Sequence, residues 1–341
     1  MFENLGVVII GRNEGDRLRD CLTSLTTQLN QNIPLVYVDS GSTDGSGELA
    51  QQYCQTVIEL DNQTPYTAAR ARNAGLFWLI ANYPNLNYIQ FIDGDCTLAT
   101  DWISKAIATL ESDSQIAVVC GRRREKYPEA SVYNLLGDLE WNTPIGEAKA
   151  CGGDALIRVE ALKSVNGYNG TLICGEEPEM CIRMREKGWK ILRIDADMTW
   201  HDLAMSKFSQ WWKRAVRGGW AVAEGFAMHG APPEKYMVRQ HLSGWFWGLI
   251  LPILAVGLSW ITQGWSLLLL LAYPLLIGRI YRNRLQQGNY QNEAIAYAFF
   301  AVMFKFAQAV GQAQYWLNRW QGKQATLIEY KQDQDQVKIS T

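Results

Sequence analysis

Five short apolar runs, each leading into a helix-like segment or a polar cluster, most constrain what this chain can fold into. They are LGVVII (5–10), PLVYVD (34–39), TVIEL (56–60), YIQFID (88–93) and IAVVCG (116–121), interleaved with helical patterns near 15–29, 45–53, 66–82 and 100–111. β-rich runs alternating with helices predict an α/β fold, a mostly parallel sheet covered by helices on both faces. Sheets of this kind bind ligands outside the carboxyl ends of their strands. Polar clusters fall at those ends: Arg12-Asn13-Glu14 after the first run, Asp39 to Gly45 after the second, and Asp93-Gly94-Asp95 after the fourth.

The last cluster, FIDGDC, puts two acids at i and i+2 on one side of an extended backbone. They repel unless a cation or a set of donors stands near them. Taken alone, Asp-Gly is also common turn chemistry at a strand end. A dinucleotide fold competes, but its G-x-G-x-x-G turn is missing, since IIGRNEGD has glycines only at 11 and 15, and no P-loop pattern occurs. Phosphates would then be met through a metal, and Mg²⁺ or Mn²⁺ is usually held by one or two carboxylates plus substrate phosphates.

The formal net charge is −2, with no basic excess or zinc-finger spacing, so a nucleic-acid partner is not expected. Seven dispersed cysteines with no CxxC pair read as reduced thiols facing a cytoplasm. The N-terminus lacks a basic stretch ahead of a long apolar run, so no cleaved signal peptide is expected. Beyond about residue 200 the character of the chain changes. GWFWGLILPILAVGLSWI (244–261) carries no charge, and GWSLLLLLAYPLLIG (264–278) follows a Thr-Gln turn. Each is close to the roughly 20 residues that cross a bilayer. Lys235 and Arg239 precede the pair, and Arg279, Arg282 and Arg284 follow it, which puts both flanks on the cytoplasmic side of an inner membrane. A third apolar stretch, 294–317, shows Lys305, Gln308, Gln312 and Arg319 at helical spacing. That stripe suits a helix lying in the interface better than a span.

The order VVIIGRNE, VYVDSGSTDGS, ARNAGL, FIDGDC, CGGDALIR and GEEPEMCIRMREKGWKI resembles the inverting family 2 glycosyltransferases of the GT-A fold, over roughly residues 4–215. The resemblance implies that Asn13 and Glu14 line a nucleoside pocket, that Asp39 hydrogen-bonds the base, and that Asp44 closes the same loop. It implies that Arg72 and Asn73 border the nucleotide, where a guanidinium suits a diphosphate. Asp93 and Asp95 match the Asp-x-Asp signature of the metal site, the last acid touching Mn²⁺ or Mg²⁺ and the first contacting ribose or a metal-bound water. His201 is placed like a histidine that completes the site, and imidazole with carboxylate suits Mn²⁺. In GEEPE the second acid of the family's pair is the general base, which points to Glu177, with Glu176 able to share the work. Gly152 and Gly153 allow close approach to the donor sugar, and Asp154 stands where a sugar hydroxyl could be bound. The basic run GRRREKYP (121–128) reads equally as a solvated loop or a phosphate contact.

The expected organisation is a cytoplasmic GT-A catalytic domain over 1–205 and an amphipathic segment over 206–240, resting on anionic lipid through the basic-aromatic stretch 207–220. A transmembrane hairpin over 241–284, an interfacial or third membrane helix over 290–320 and a polar tail over 321–341 follow. The expected activity is transfer of a sugar from a nucleotide-sugar donor, preferably a UDP-sugar, to a hydroxyl of a lipid-linked or membrane-associated acceptor. A polyprenyl-phosphate acceptor, and more distantly a non-catalytic nucleotide-sugar-sensing scaffold, are the alternatives. The segment around 207–220 lacks the Gln-x-x-Arg-Trp arrangement of processive synthases.

Overall fold

The computed structural model describes residues 4–323, so most of the tail expected over 321–341 lies outside the described residues. The chain divides into two units, one of 4–127 with 140–204 and one of 128–139 with 205–323.

In the first unit β1 (Leu5–Gly11) is flanked by β2 (Leu35–Asp39) and β4 (Tyr88–Asp93), both parallel to it, and β3 (Thr56–Glu59) extends the same sheet beyond β2. The intervening helices are α1 (Asp16–Gln28), α2 (Ser46–Ala50) and α3 (Ala68–Asn82). Val7, Val8 and Ile9 are fully buried, each contributing about 1.5–3 kcal/mol from burial. α1 adds Leu18, Cys21, Leu22 and Leu25 to the same core, spaced to make one apolar stripe. α3 starts at Thr67, whose Oγ1 accepts from the Arg70 N–H at 3.2 Å, and comes close to the sheet at Gly75. A Cβ there would lie 2.5 Å from Val8 Cγ1.

After β5 (Cys96–Leu98) and α4 (Trp102–Ser112), the sheet changes character. β6 (Ile116–Glu125) is followed by α5 (Val132–Trp141), β7 (Gly146–Ala148), β8 (Ala155–Arg158), α6 (Val159–Ser164), α7 (Glu176–Glu186) and β9 (Lys190–His201). β8 inserts between β4 and β6 antiparallel to both, β9 runs parallel to β6, and β5 and β7 pair antiparallel with β9. The full order is β3-β2-β1-β4-β8-β6-β9-β5, with β7 also on β9. The sheet is thus parallel in its first half and mixed in its second. The reversal brings β9, with His201 at its end, opposite the Asp95-Cys96 end of β5.

The second unit is helical: most of α5 (residues 132–139), α8 (Phe208–His229), α9 (Val238–Trp245), a π-turn at Phe246–Ile250, α10 (Leu251–Gly257), a 3₁₀ stretch at Trp265–Leu271, α11 (Ala272–Gln286) and α12 (Gln291–Trp320). Among the described residues, two helices are long and apolar enough to cross a membrane, Trp265–Gln286 and Gln291–Trp320. The first contains the expected second segment, 264–278, and the second is the stretch expected as an interfacial or third membrane helix. The run 244–261 lies on a helical backbone that continues from Val238 to Gly257 with a π-turn at Phe246–Ile250, and passes into turns after Gly257. Of the polar stripe, Gln308 and Gln312 are buried, the Gln308 amide donating to the Gln240 carbonyl at 2.9 Å, while Lys305 is half-buried and Arg319 exposed. α12 packs against α8 at glycine contacts, where a Cβ at Gly311 would lie 2.0 Å from the Val216 carbonyl and one at Gly219 2.4 Å from that of Gln308. The apolar face of α8 (Trp211, Ala215, Val216) is buried with Ala307 of α12, so protein rather than lipid covers it.

Candidate active site

The site is built where β1, β2, β4 and β5 end and where α3, α7 and β9 supply side chains. In register, Gly11 lies beside Asp39 and Ile10 beside Asp93, so the three polar loops converge.

The first two loops are tied to each other. Asn13, at a left-handed φ of 54°, accepts from the Thr43 N–H at 2.8 Å, and its own N–H donates to Ser42 Oγ at 2.9 Å. Asp39 accepts from the Gly41 and Ser42 N–H groups at 3.0 and 2.7 Å, and from the Ser42 and Tyr37 hydroxyls at 2.5 and 3.2 Å. Asp44 accepts from the Ser46 N–H and hydroxyl at 3.0 and 2.6 Å at the start of α2. Glu14 is buried and paired with Arg17 at 2.9 Å. These acids therefore shape their own loops, and contact with a bound base would be in addition to that work.

The centre is a lattice of acids and two guanidinium groups. Arg72, on α3 and 2% exposed, donates from Nη1 to Glu176 at 2.7 Å and from Nη2 to Asp93 at 2.8 Å, with Glu177 Oε1 3.0 Å from Nη1. Arg123 donates to the other Asp93 oxygen at 2.9 Å and from Nε to Asp154 at 2.8 Å. Asp154 is fully buried and also accepts from the Thr199 hydroxyl at 2.6 Å and the Asp93 N–H at 3.0 Å. Asp154 thus faces the interior and orients Asp93 and Arg123, where the sequence pointed to a sugar hydroxyl. Gly153 lies directly on this lattice. A Cβ there would be 2.3 Å from Arg72 Nη2, 3.1 Å from Asp93 and 3.2 Å from Glu177, while one at Gly152 would meet nothing within 4 Å.

The electrostatics separate the acids. Burial acts to raise the Asp93 pKa, but Arg72 and Arg123 outweigh it and hold the carboxyl below its usual value. Glu177, at the start of α7, is pushed up to about 7, first by burial and then by the neighbouring Glu176 charge, against the opposing pull of Arg72. One acid is kept ionised and the other is poised near neutrality.

Asp95 and His201 form a second pair. His201 Nε2 lies 3.2 Å from Asp95 Oδ2, and Nδ1 lies 3.6 Å from the buried Glu125. Burial acts to lower the imidazole pKa, but Asp95 and Glu125 reverse it and the net shift is upward. The Asp95 oxygen, His201 nitrogen and Cys96 sulfur all lie within 4.8 Å of one another. Two donors on neighbouring corners of an octahedron with bonds of about 2.1 Å stand about 3 Å apart, so Asp95 and His201 fit one divalent ion of the Mn²⁺ or Mg²⁺ class.

Arg123, Glu125, Trp141 and Thr199 were not singled out in the sequence. Trp141 packs edge-on against His201, with ring centroids 4.9 Å apart, and lies under the Arg123 guanidinium at 5.6 Å. The signal for Arg123 was available. β6 continues to Glu125, so the arginines of GRRREK alternate between faces, Arg123 entering the lattice while Arg124 lies over Trp200.

Residues 6–163 match the family described as Glycosyl transferase family 2. The chain is 24% identical over 200 residues to Glycosyltransferase AglE of Haloferax volcanii, covering 55% of this chain and 63% of that protein. It is 25% identical over 202 residues to Succinoglycan biosynthesis protein ExoA of Rhizobium meliloti, covering 55% and 60%. The matched stretch is thus less than two thirds of the length of either relative. Among solved structures, the fold is like that of mannosyltransferase PcManGT from Pyrobaculum calidifontis in complex with GDP-Man and Mn²⁺, with a TM-score of 0.59, 15% identity, and coverage of 91% of this chain and 87% of that one. The mixed α/β sheet with flanking helices therefore resembles the GT-A glycosyltransferases.

Proposed function

Because the chain carries a glycosyl transferase family 2 domain, we propose that it is an inverting, metal-dependent glycosyltransferase moving a sugar from a nucleotide-sugar donor, a UDP-sugar by preference, to a hydroxyl of a lipid-linked or membrane-associated acceptor. The observation that carries this reading is Glu177, a carboxyl poised at about 7 beside an acid kept ionised, in the loop cluster at the strand ends. A base works best when its pKa lies near the operating pH.

In this reading Glu177 takes the proton of the acceptor hydroxyl. The freed oxygen bonds to the anomeric carbon from the side opposite the donor's diphosphate, and the bond from that carbon to the diphosphate oxygen breaks, its electron pair leaving with the nucleotide. Asp95 and His201 would hold a divalent cation, which supplies neutralising charge to the departing diphosphate. Asp93, fixed by Arg72 and Arg123, presents a constant negative charge toward donor hydroxyls. Asn13, Glu14, Asp39 and Asp44 form the wall for the base. The glutamate pair and Asp93 would repel an anionic acceptor, which favours a hydroxyl over a polyprenyl phosphate.

Two helices in the second unit that are long and apolar enough to cross a membrane support a membrane-embedded chain. The relative in succinoglycan biosynthesis supports a cell-surface glycolipid or polysaccharide product. The test is transfer of radiolabelled sugar from a panel of UDP- and GDP-sugars by the full-length detergent-solubilised chain supplied with Mn²⁺ and a membrane-lipid extract. Label should enter the organic phase and cease to do so with EDTA. Absence of transfer to lipid and to water with every donor would overturn the reading.

A further inference from the structure

We propose that Arg72 is a positioning residue that aims the Glu177 carboxylate, and is not a ligand of the donor's diphosphate. This rests on the reading of Glu177 as the base.

The side chain is 2% exposed, and its two terminal nitrogens face Asp93, Glu176 and Glu177 at 2.7–3.0 Å. A phosphate could reach those nitrogens only by displacing a carboxylate from a buried pair, which leaves that charge uncompensated. The remaining approach is closed by backbone, since Gly153 lies against Nη2 so closely that not even a methyl group fits. The face of the guanidinium is covered by the Tyr168 ring, 5.7 Å from its centre. Arg72 therefore joins the acid on β4 to the acids opening α7, two segments far apart in sequence. Its forked geometry suits that bridging, and a lysine's point charge does not.

The groups facing Glu177 make Arg72 the cation of its surroundings. Glu176 on the same helix, Asp93 on β4, and Tyr168 and Cys151 in the adjoining loops all disfavour or are disfavoured by a negative Glu177, whereas Arg72 and a backbone hydrogen bond favour it. An opposite charge at this distance lowers a carboxyl by about 1–3 units.

The test uses the full-length solubilised protein, reading nucleoside diphosphate released by hydrolysis of whichever UDP- or GDP-sugar the wild type cleaves, from pH 5 to 9. Affinity for the matching nucleoside diphosphate with Mn²⁺ is measured in parallel. R72Q should move the acid limb of kcat upward by about 1–3 pH units while nucleotide affinity is retained. R72K, which keeps the charge, should leave the limb in place and lower kcat. The double variant R72Q/E176Q removes one cation and one anion, guards against misfolding of the single, and should return the limb toward wild type. A loss of nucleotide affinity of about tenfold or more in R72K with an unmoved limb in R72Q would overturn the inference and make Arg72 a donor ligand. Retained turnover in E177Q would instead overturn the base reading on which the inference stands.

Discussion

His201 Nε2 stands 3.2 Å from Asp95 Oδ2 because β9 pairs antiparallel with β5, His201 opposite Cys96. Two residues 106 positions apart are thereby held side by side by strand pairing. Removing either should abolish the Mn²⁺ dependence of nucleoside diphosphate binding, and D95A and H201A should both show it by isothermal titration. Binding that still responds fully to Mn²⁺ in both variants would place the ion elsewhere.

Glu177 must be ionised to accept a proton, and its pKa is pushed up to about 7. Turnover should therefore fall as pH drops through about 7, with E177Q losing about 10²–10⁴-fold in kcat at pH 8 while retaining nucleotide affinity. The sign for stability is opposite. A carboxyl whose pKa is raised on folding binds its proton more tightly in the native state, so this contribution to stability is present below the unfolded value of 4.5 and is lost as pH rises through about 7. E177Q should accordingly melt higher than wild type at pH 8, and a lower melting temperature would contradict the cause assigned to the shift.

Gly152 and Gly153 are adjacent and predict opposite outcomes. G153A drives a methyl group into Arg72, Asp93 and Glu177, and should cost about 1–3 kcal/mol by denaturant unfolding together with most of the turnover. G152A meets open space and should change stability by about 0.5 kcal/mol or less. Equal effects would mean that close packing on Arg72 is unimportant.

In the helical unit, a side chain at Gly311 would strike the backbone of Val216, which cannot rotate aside. G311L should lower the melting temperature of the solubilised protein, whereas G257A, at a glycine with nothing within 4 Å, should not. An unchanged melting temperature for G311L would show that α8 and α12 do not depend on this contact.

Most of the first half of the sheet was legible because β1, β2 and β4 are buried on both faces and read as apolar runs, and the Asp93-Gly94-Asp95 turn falls where β4 ends. Arg72, Glu176, Glu177, Asp93 and Gly153 do converge, but which groups satisfy which charges depends on α3, β4 and α7 meeting in space. Arg123 lay in the basic run 121–128, read equally as a solvated loop or a phosphate contact, and only the continuation of β6 to Glu125 separates its face from that of Arg124. Asp154 looked like a sugar contact because its burial by Arg123 and Thr199 leaves no local trace. The polar stripe of α12 was visible in the sequence, but its direction was not. Helical periodicity says which residues share a face, not what faces them, and here α8 and α9 do.

The most direct measurement is nucleoside diphosphate release from UDP- and GDP-sugars by wild type and E177Q side by side, with nucleotide affinity measured on the same preparations. Metal-dependent release by the wild type, reduced at least about 100-fold in E177Q with affinity unchanged, is the predicted result. Equal release by the two proteins would remove Glu177 from the chemistry and contradict the mechanism built on it.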